Sequence, residues 1–395
     1  MKTPMKTATV TWTTYNNYGT ILQAYALQQE LLKLGYENEI LSDKEIIAEQ
    51  EGRNKMNRKK KETAGQLTQE PGSVFHRAVQ MMTSPGRLRR ALLARQDRES
   101  FVRPYYASQQ AFERFKEQHL MIRSFSIETL DELKSRYDVL IAGSDQIWSV
   151  LESTYNPFFF LDFPAKRKIS YAPSLGSRMI PDALKPVLQR LLSDYSAISV
   201  REELSARQLS EISGRDVTWA ADPTLLLSRE EWENLVRDMI LPVKRPYLLC
   251  YFLENQPWYF EQAKTLARKL RLRPVLIPNR WDYLSNGYVI DAAVGPKEFV
   301  ALFRDAECVL TDSYHGSIFS LLFEKKFQYL QRFKEDDPNS QNMRVHSLFE
   351  YLSCTDRILE KPDPNKEIAP PDPEISRKIS IMRQKSLDFL QISLQ

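Results

Sequence analysis

Residues 8–41 read ATVTWTTYNNYGTILQAYALQQELLKLGYENEIL, and this stretch decides the fold class. Its first five residues are rich in β-branched and aromatic side chains and predict a strand. After a polar turn, apolar residues recur at helical spacing, and Gly35 is the residue type expected just past a helix end. A second strand is predicted at 37–41. A strand, helix and strand in this order open a doubly wound parallel sheet, so an α/β fold is expected.

The same alternation of strands and helices continues along the chain in two blocks. The first block resumes with YDVLIAG at 137–143, and the second begins with YLLCYFL at 247–253. We therefore predict two Rossmann-like domains, residues 1–227 and 228–373, followed by a C-terminal helix at 374–395.

A basic and polar segment interrupts the first block at about 44–110. Its cations include Arg53, Lys55, Arg58, Lys59, Lys60, Lys61, Arg87, Arg89, Arg90, Arg95 and Arg98. Apolar residues such as Met81 and Leu92 interleave with the arginines. The stretch fits a solvated helical hairpin. It also fits a basic amphipathic surface, residues 53–98, that docks on an anionic membrane.

The bulk composition argues against several classes of function. The chain has 395 residues, of which 55 are basic and 51 acidic, and a net charge of +4 does not indicate a nucleic-acid-binding protein. Three widely spaced cysteines and four scattered histidines predict buried thiols and no metal site. No apolar run has the length of a signal peptide core or a membrane span, so a cytoplasmic protein is predicted.

The segment richest in reactive groups is TDSYHGS at 311–317, which runs from a strand end into a helix. Ligands bind outside the carboxyl ends of strands in such sheets. Amides at a helix start favour an anion, Gly316 permits close approach, and Ser317 adds a hydroxyl donor. His315 adds a group that titrates near neutral pH, so one interpretation is a phosphate pocket beside a proton donor. A helix cap with a structural histidine is the alternative.

A second polar segment, GSDQIW at 143–148, also follows an apolar strand. Asp145 suits a general base or a partner for sugar hydroxyls, and Trp148 suits stacking on a sugar ring. A capped turn anchored by a core tryptophan is the alternative.

Two further strand ends carry polar side chains. Arg201 suits bidentate binding of a carboxylate or phosphate, or a salt bridge to Glu202 or Glu203. The first strand-to-helix turn, NNYGT at 16–20, lacks the glycines of a GxGxxG fingerprint. We therefore expect no nicotinamide cofactor, and no other cofactor is indicated.

Taken together and in this order, six segments resemble the polysaccharide pyruvyl transferase family. They are NNYGTILQAYALQ (16–28), YDVLIAGSDQIW (137–148), ISYAPSLG (169–176), ISVREELSARQL (198–209), ADPTLLL (221–227) and TDSYHGSIFSLLFEKKF (311–327). The resemblance implies a glycosyltransferase-B-like architecture, in which two Rossmann-like domains enclose a cleft and the C-terminal helix returns to the first domain. It also implies transfer of a pyruvyl ketal from phosphoenolpyruvate to a sugar of a cell-surface polysaccharide or its lipid-linked precursor.

The residues and the resemblance together give a set of expected roles. His315 is expected to be the general acid/base, with Asp145 as a second catalytic group. Donor binding is expected from Arg201, Ser313, Gly316, Ser317 and Arg344. Acceptor binding is expected from Asn16, Asn17, Tyr18, Gln146 and Trp148. The expected partners are phosphoenolpyruvate and a sugar or lipid-linked oligosaccharide, with no nucleic acid, and an oligomer is compatible with the sequence.

The chain departs from the family pattern just before the site histidine. Many members have an arginine-leucine pair there, whereas this chain has Ser313 and Tyr314. A cation is therefore missing from the donor side, unless Lys325, Lys326 or Lys334 replaces it.

Two other functions remain open at this point. A glycosyltransferase on the same scaffold would use a nucleotide sugar, whose base could stack on Trp281 or Tyr283. A non-catalytic protein would bind polyanions through the basic segment, with an affinity that falls steeply with salt.

Membrane docking by the basic segment predicts a difference in liposome flotation. A variant with five of its arginines changed to glutamate should lose flotation with anionic vesicles, because the attraction to anionic lipid becomes repulsion. Equal flotation of the variant and the unmodified chain would reject membrane docking.

Overall fold

The computed structural model describes residues 4–49, 104–150, 155–278, 290, 292–334, 337 and 340–395. The basic segment 53–98 and the aromatic pair Trp281 and Tyr283 lie outside the described residues, so both hypotheses about them remain predictions. Across the part of the chain that is described, no helix combines the length and apolarity needed to cross a bilayer.

The first domain is built on a six-stranded parallel sheet. Its strands are β1 (Lys6–Val10), β2 (Glu37–Leu41), β3 (Ile122–Arg123), β4 (Val139–Ala142), β5 (Lys168–Ser170) and β6 (Tyr195–Ala197). They lie in the order β3-β2-β1-β4-β5-β6, so the strand order reverses between β1 and β4. A two-stranded parallel ladder of β7 (Ser199–Val200) and β8 (Thr218–Trp219) adjoins it.

The helices described beside this sheet include α1 (Tyr18–Lys33), α2 (104–119), α3 (Leu133–Arg136), α4 (Lys185–Ser193) and α5 (Glu203–Ser213), and residues 44–49 are also helical. Asn17 caps α1, since its side chain accepts hydrogen bonds from the amides of Gly19 and Thr20. Gly35 has φ +86° just past the helix, which is the left-handed ending that the sequence predicts.

The second domain has a five-stranded parallel sheet. Its strands are β9 (Tyr247–Tyr251), β10 (Arg273–Leu276), β11 (Cys308–Thr311), β12 (Lys326–Leu330) and β13 (Ile358–Leu359), in the order β10-β9-β11-β12-β13. Its helices are α6 (Arg229–Leu235), α7 (Pro257–Leu270), α8 (Pro296–Asp305), α9 (Tyr314–Leu322) and α10 (Met343–Leu352). The C-terminal helix α11 spans Pro373–Leu394.

The C-terminal helix crosses from the second domain to the first. Ser386 accepts a hydrogen bond from the amide of Ala221 (2.9 Å), and Arg383 donates to the carbonyl of Leu225 (2.6 Å). Leu390 and Leu394 are fully buried with residues of the first sheet. Two parallel α/β sheets with a returning helix are the glycosyltransferase-B-like arrangement expected from the sequence, and the fold class is confirmed.

Helix α2 begins within the predicted insertion. Residues 104–110 were assigned to that helical and loop segment from their sequence, and they form the first part of α2. The side chains of Phe112 and Phe115 on this helix are buried in the main hydrophobic cluster. The part of α2 that follows residue 110 therefore belongs to the core, because a helix with an apolar face needs a partner to bury it.

An apolar interface joins the two domains through α1. The Tyr18 ring stacks on Phe299 of α8 with centroids 4.5 Å apart and an interplanar angle of 11°. Its hydroxyl donates to the carbonyl of Val294 (2.9 Å). Tyr18 was expected to bind the acceptor; it borders the cleft but is only 4% exposed, and its ring and hydroxyl are used at this interface, so acceptor binding by Tyr18 stays a prediction.

Replacing Tyr18 should destabilise the fold. Tyr18→Ala removes a buried aromatic ring and should lower the free energy of unfolding by about 3–5 kcal/mol. Urea titration should give this loss, and Tyr106→Ala, at a tyrosine that is 62% exposed, is the matched control. Equal losses in the two variants would contradict the interface described here.

Candidate active site

A cleft of about 830 Å³ lies between the two domains. Residues 14–18 and 145–146 of the first domain line one side, and residues 253–254 and 313–315 of the second line the other. Each of these segments follows the carboxyl end of a parallel strand. The cleft is therefore where ligands bind in sheets of this topology.

His315 enters the cleft at the start of α9. Ser313 caps this helix, because its hydroxyl accepts a hydrogen bond from the amide of Gly316 (3.3 Å). Asp312 ties the same turn to the end of β9 by accepting hydrogen bonds from the amides of Leu253 (2.6 Å) and Glu254 (2.9 Å). The imidazole is 7% exposed, so it is held in one place at the edge of the cavity.

The Asp222 carboxylate, which belongs to the first domain, links His315 to Arg201. Its Oδ2 lies 3.4 Å from Nε2 of His315 and 2.7 Å from Nη1 of Arg201. Its Oδ1 accepts hydrogen bonds from the amide (2.9 Å) and hydroxyl (2.6 Å) of Thr224. Burial alone raises the pKa of Asp222, but the imidazole, the guanidinium and the hydroxyl together hold it well below its ordinary value. The carboxylate is therefore ionised.

Asp145 reaches the cleft from the strained end of β4. Its backbone has φ 75° and ψ −177°, a conformation that non-glycine residues rarely adopt and that costs about 1–3 kcal/mol. Its Oδ2 accepts a hydrogen bond from the hydroxyl of Thr20 (2.6 Å), and its Oδ1 lies 4.0 Å from Nη2 of Arg201. Backbone strain of this kind is typical of functional sites.

Cations face the cleft from the second domain. Arg332 and Arg344 both line it, and Arg344 lies 5.9 Å from the ring centroid of Tyr314. Arg201 lies over the same ring at 4.8 Å. Partial burial and the neighbouring Arg201 and Arg332 lower the pKa of Arg344 to about 10. Guanidinium groups that repel one another in this way favour a bound anion.

Comparison with known proteins identifies the family. The family model described as polysaccharide pyruvyl transferase matches residues 17–330, which is most of the chain. The chain belongs to this family. It is therefore a transferase, and family membership connects it with polysaccharide biosynthesis. No curated protein matches the sequence at a significant level.

Several solved structures are similar to the chain at low sequence identity. The S. aureus MnaA–UDP co-structure has 10% identity and a TM-score of 0.45, covering 98% of this chain and 90% of that one. UDP-GlcNAc 2-epimerase from Neisseria meningitidis has 13% identity and a TM-score of 0.42, with coverage of 97% and 99%. A glycosyltransferase from Rickettsia africae has 11% identity and a TM-score of 0.42, with coverage of 99% and 93%. Similarity at this level says nothing about activity.

Within this family member, several predicted site residues lie together. The cleft lining includes His315, Asp145, Ser313, Arg344, Asn16, Asn17 and Gln146. Asn17 is also the cap of α1, and Asn16 donates to Gln109 (2.8 Å) and Glu113 (3.0 Å) of α2.

Other predicted site residues do not face the cleft. Trp148 is fully buried: it stacks on Phe160, and its indole nitrogen donates to the carbonyl of Phe159 (3.0 Å). The core-tryptophan alternative was therefore right, because a ring that is enclosed by aromatic neighbours cannot stack on a sugar. The Ser317 hydroxyl donates to the carbonyl of Ser313 (3.1 Å) within the helix and is buried.

Gly316 also has a structural role. A methyl group added there would lie 2.4 Å from Oγ1 of Thr311, so this glycine permits the helix to pack against β11. Its amide is already used by the Ser313 cap. Neither Gly316 nor Ser317 is available to a donor, and the helix-cap alternative describes them correctly.

Arg201 differs from its expected role as well. Its side chain has no exposed surface and pairs with Asp222 and with Glu202 (3.4 Å). Burial opposes its charge, yet the pKa of Arg201 is raised above its ordinary value, with Asp222 as the main cause. We therefore correct the predicted direct donor contact: Arg201 lies behind the cleft wall and holds Asp222 and the Tyr314 ring.

Sequence reasoning missed Asp222, Thr20 and Arg332 as site residues. Asp222 follows β8 in the quoted ADPTLLL segment, and its place after a strand was an available signal. Arg332 follows β12 and supplies the cation that was sought among three lysines. Of those lysines, Lys326 begins β12 and so lies at the strand end away from the cleft. Lys325 and Lys334 do not line the cleft either.

Removing Arg201 should destabilise the protein rather than only weaken binding. Arg201→Ala leaves the Asp222 and Glu202 carboxylates buried without this cation, and should cost about 3–5 kcal/mol of unfolding free energy. Arg344→Ala is the control, since this half-buried arginine lies at the cavity surface and should cost about 1 kcal/mol. Urea titration of the two variants measures the difference. A smaller loss for Arg201→Ala than for Arg344→Ala would overturn the structural role of Arg201.

Proposed function

We propose that the protein transfers a pyruvyl group from phosphoenolpyruvate to two hydroxyls of a sugar acceptor, forming a cyclic ketal and inorganic phosphate. The acceptor is a sugar of a cell-surface polysaccharide or of its lipid-linked precursor. One observation carries the proposal: an imidazole, a carboxylate and two guanidinium groups from opposite domains meet in one cleft. Family membership supports the class of reaction.

The donor suits the second-domain side of the cleft. Phosphoenolpyruvate carries a phosphate and a carboxylate, and guanidinium groups bind both in bidentate fashion. Arg332 and Arg344 line that side. We assign the two anionic groups of the donor to them; burial and the neighbouring Arg201 and Arg332 lower the pKa of Arg344, so a bound anion would stabilise its charge.

The reaction begins with proton transfer. Protonated His315 gives its proton to the methylene carbon of the donor, which becomes a methyl group while positive charge develops at C2. The first sugar hydroxyl attacks C2, and Asp145 accepts its proton. The C2–phosphate bond then breaks, and the proton held by Asp145 leaves with the phosphate. The second hydroxyl attacks C2 and returns a proton to His315, so both catalytic groups regain their starting states.

His315 and Asp145 are close to the same turn of α1. A methyl group added at Gly19 would overlap the His315 ring, and the next residue, Thr20, donates to Asp145. The two proton carriers therefore border one small region of the cleft, which supports their use on neighbouring atoms of one donor–acceptor complex.

Donor binding gives the first test. Phosphoenolpyruvate at 100 times its Kd should stabilise the protein by about 2.7 kcal/mol and raise the melting temperature. UDP at equal concentration should not. Arg344→Ala should weaken phosphoenolpyruvate binding about tenfold or more, because a charged hydrogen bond is worth about 1.5–3 kcal/mol. Arg207→Ala, an exposed arginine on α5, is the control. Stabilisation by UDP alone would favour a nucleotide-sugar glycosyltransferase instead.

Turnover gives the second test. With a panel of oligosaccharide acceptors, phosphate release from phosphoenolpyruvate should require the acceptor, and His315→Ala should reduce kcat by about 100-fold or more. The Arg207→Ala variant should keep wild-type rates. If His315→Ala retained wild-type kcat, the general acid would have to be another group.

A further inference from the structure

The imidazole of His315 is set by residues of the other domain. His315 belongs to α9 of the second domain, but its nearest described neighbours include Asp222 and Gly19 of the first. The imidazole therefore lies in a pocket, formed by Asp222 and Gly19 and called here the His315 seat. This pocket exists only when the two domains are packed together.

Asp222 fixes one edge of this ring. The His315 Nε2 atom is buried and has no hydrogen-bond partner among the described residues, and the polar group facing it is the Asp222 carboxylate, 3.4 Å away and within ion-pair distance. An ionised carboxylate only accepts hydrogen bonds, so the proton of the neutral imidazole belongs on Nε2. Asp222 is itself held by Thr224 and Arg201, so it cannot turn away without breaking those bonds.

Gly19 fixes the plane of the ring. A methyl group added to Gly19 would lie 1.9 Å from Nδ1, 2.3 Å from Cγ and 2.5 Å from Cε1 of His315. An approach within the ring plane would bring it close to Nδ1 but leave it distinctly farther from the two flanking carbons. The near-equal distances therefore place Gly19 against the face of the ring, where only a hydrogen fits.

We infer that Asp222 and Gly19 are positioning residues for His315, which together direct its Nδ1 atom to the substrate. With Nε2 on Asp222 and one face on Gly19, the Nδ1 edge is the part of the ring left for a ligand in the cleft. The inference deepens the proposed function and rests on it for the identity of the substrate, but the seat itself is a structural statement.

The tautomer of the His315 imidazole tests whether Asp222 orients the ring, and its measurement needs no substrate or turnover. The full chain labelled with ¹⁵N-histidine carries four histidines, and a His315→Gln variant assigns the signals of His315. The neutral ring should show the Nε2–H tautomer. In Asp222→Asn, whose amide both donates and accepts, the signals should move toward a mixture of tautomers. An Nδ1–H tautomer in the unmodified chain, or no change in Asp222→Asn, would overturn the inference.

Steady-state kinetics test whether Asp222 and Gly19 control turnover by positioning His315. Asp222→Asn and Gly19→Ala should each lower kcat by about 100-fold, because a misplaced general acid loses the near-attack geometry. The KM for phosphoenolpyruvate should change by less than about threefold, since neither residue is assigned to the donor. Retention of wild-type kcat in both variants would overturn the inference.

Gly35→Ala is the matched control for Gly19→Ala. It strains a left-handed turn, yet its new methyl group meets nothing within 4 Å and lies away from the cleft. It should lose stability and keep wild-type kcat, which separates destabilisation from misplacement of the ring. If the unmodified chain turned over no acceptor at all, the proposed function would fail, while the tautomer measurement would still decide the seat.

Discussion

The site depends on a buried carboxylate that is shared between a guanidinium and an imidazole from different parts of the chain. Asp222 contacts both Arg201 and His315, and of the carboxylates around Arg201 it lies nearest, at 2.7 Å against 3.4 Å for Glu202. Burying a charge without a partner is costly, so this arrangement is stable only when all three groups are in place. The buried charges of the site are therefore paired only when the two domains are packed together.

The apolar interface around α1 makes that docking possible. Aromatic rings from both domains enclose Tyr18, and the hydrophobic cluster that contains it extends without a break into the core of the second domain. Helix α11 adds hydrogen bonds and leucines that join the second domain to the first sheet. Because α1 also carries Gly19 and Thr20 at its start, the helix that joins the domains contacts both His315 and Asp145.

The local chemistry around His315 replaces one cation by another. The family's usual arginine before the histidine is absent, and Tyr314 occupies that region with its ring between Arg201 and Arg344. A ring face attracts cations, so Tyr314 brings together guanidinium groups that would otherwise repel one another. Arg332, which follows β12, lines the cleft as a further cation. In the proposed reaction this cation, from a strand elsewhere in the chain, compensates for the missing arginine.

The sequence by itself determined the order of strands and helices, the two-domain α/β class and the location of His315 at a strand end. These features follow from hydrophobic period, turn residues and sheet topology, which are local or depend on connection rules. Only the tertiary structure decided which polar and aromatic side chains face the cleft. Trp148 and Arg201 look like ligand-binding residues in sequence, but distant segments cover them. Asp222 looked unremarkable until folding placed it between Arg201 and His315. The burial of a side chain depends on which distant residues pack against it, and a local sequence pattern does not contain that information.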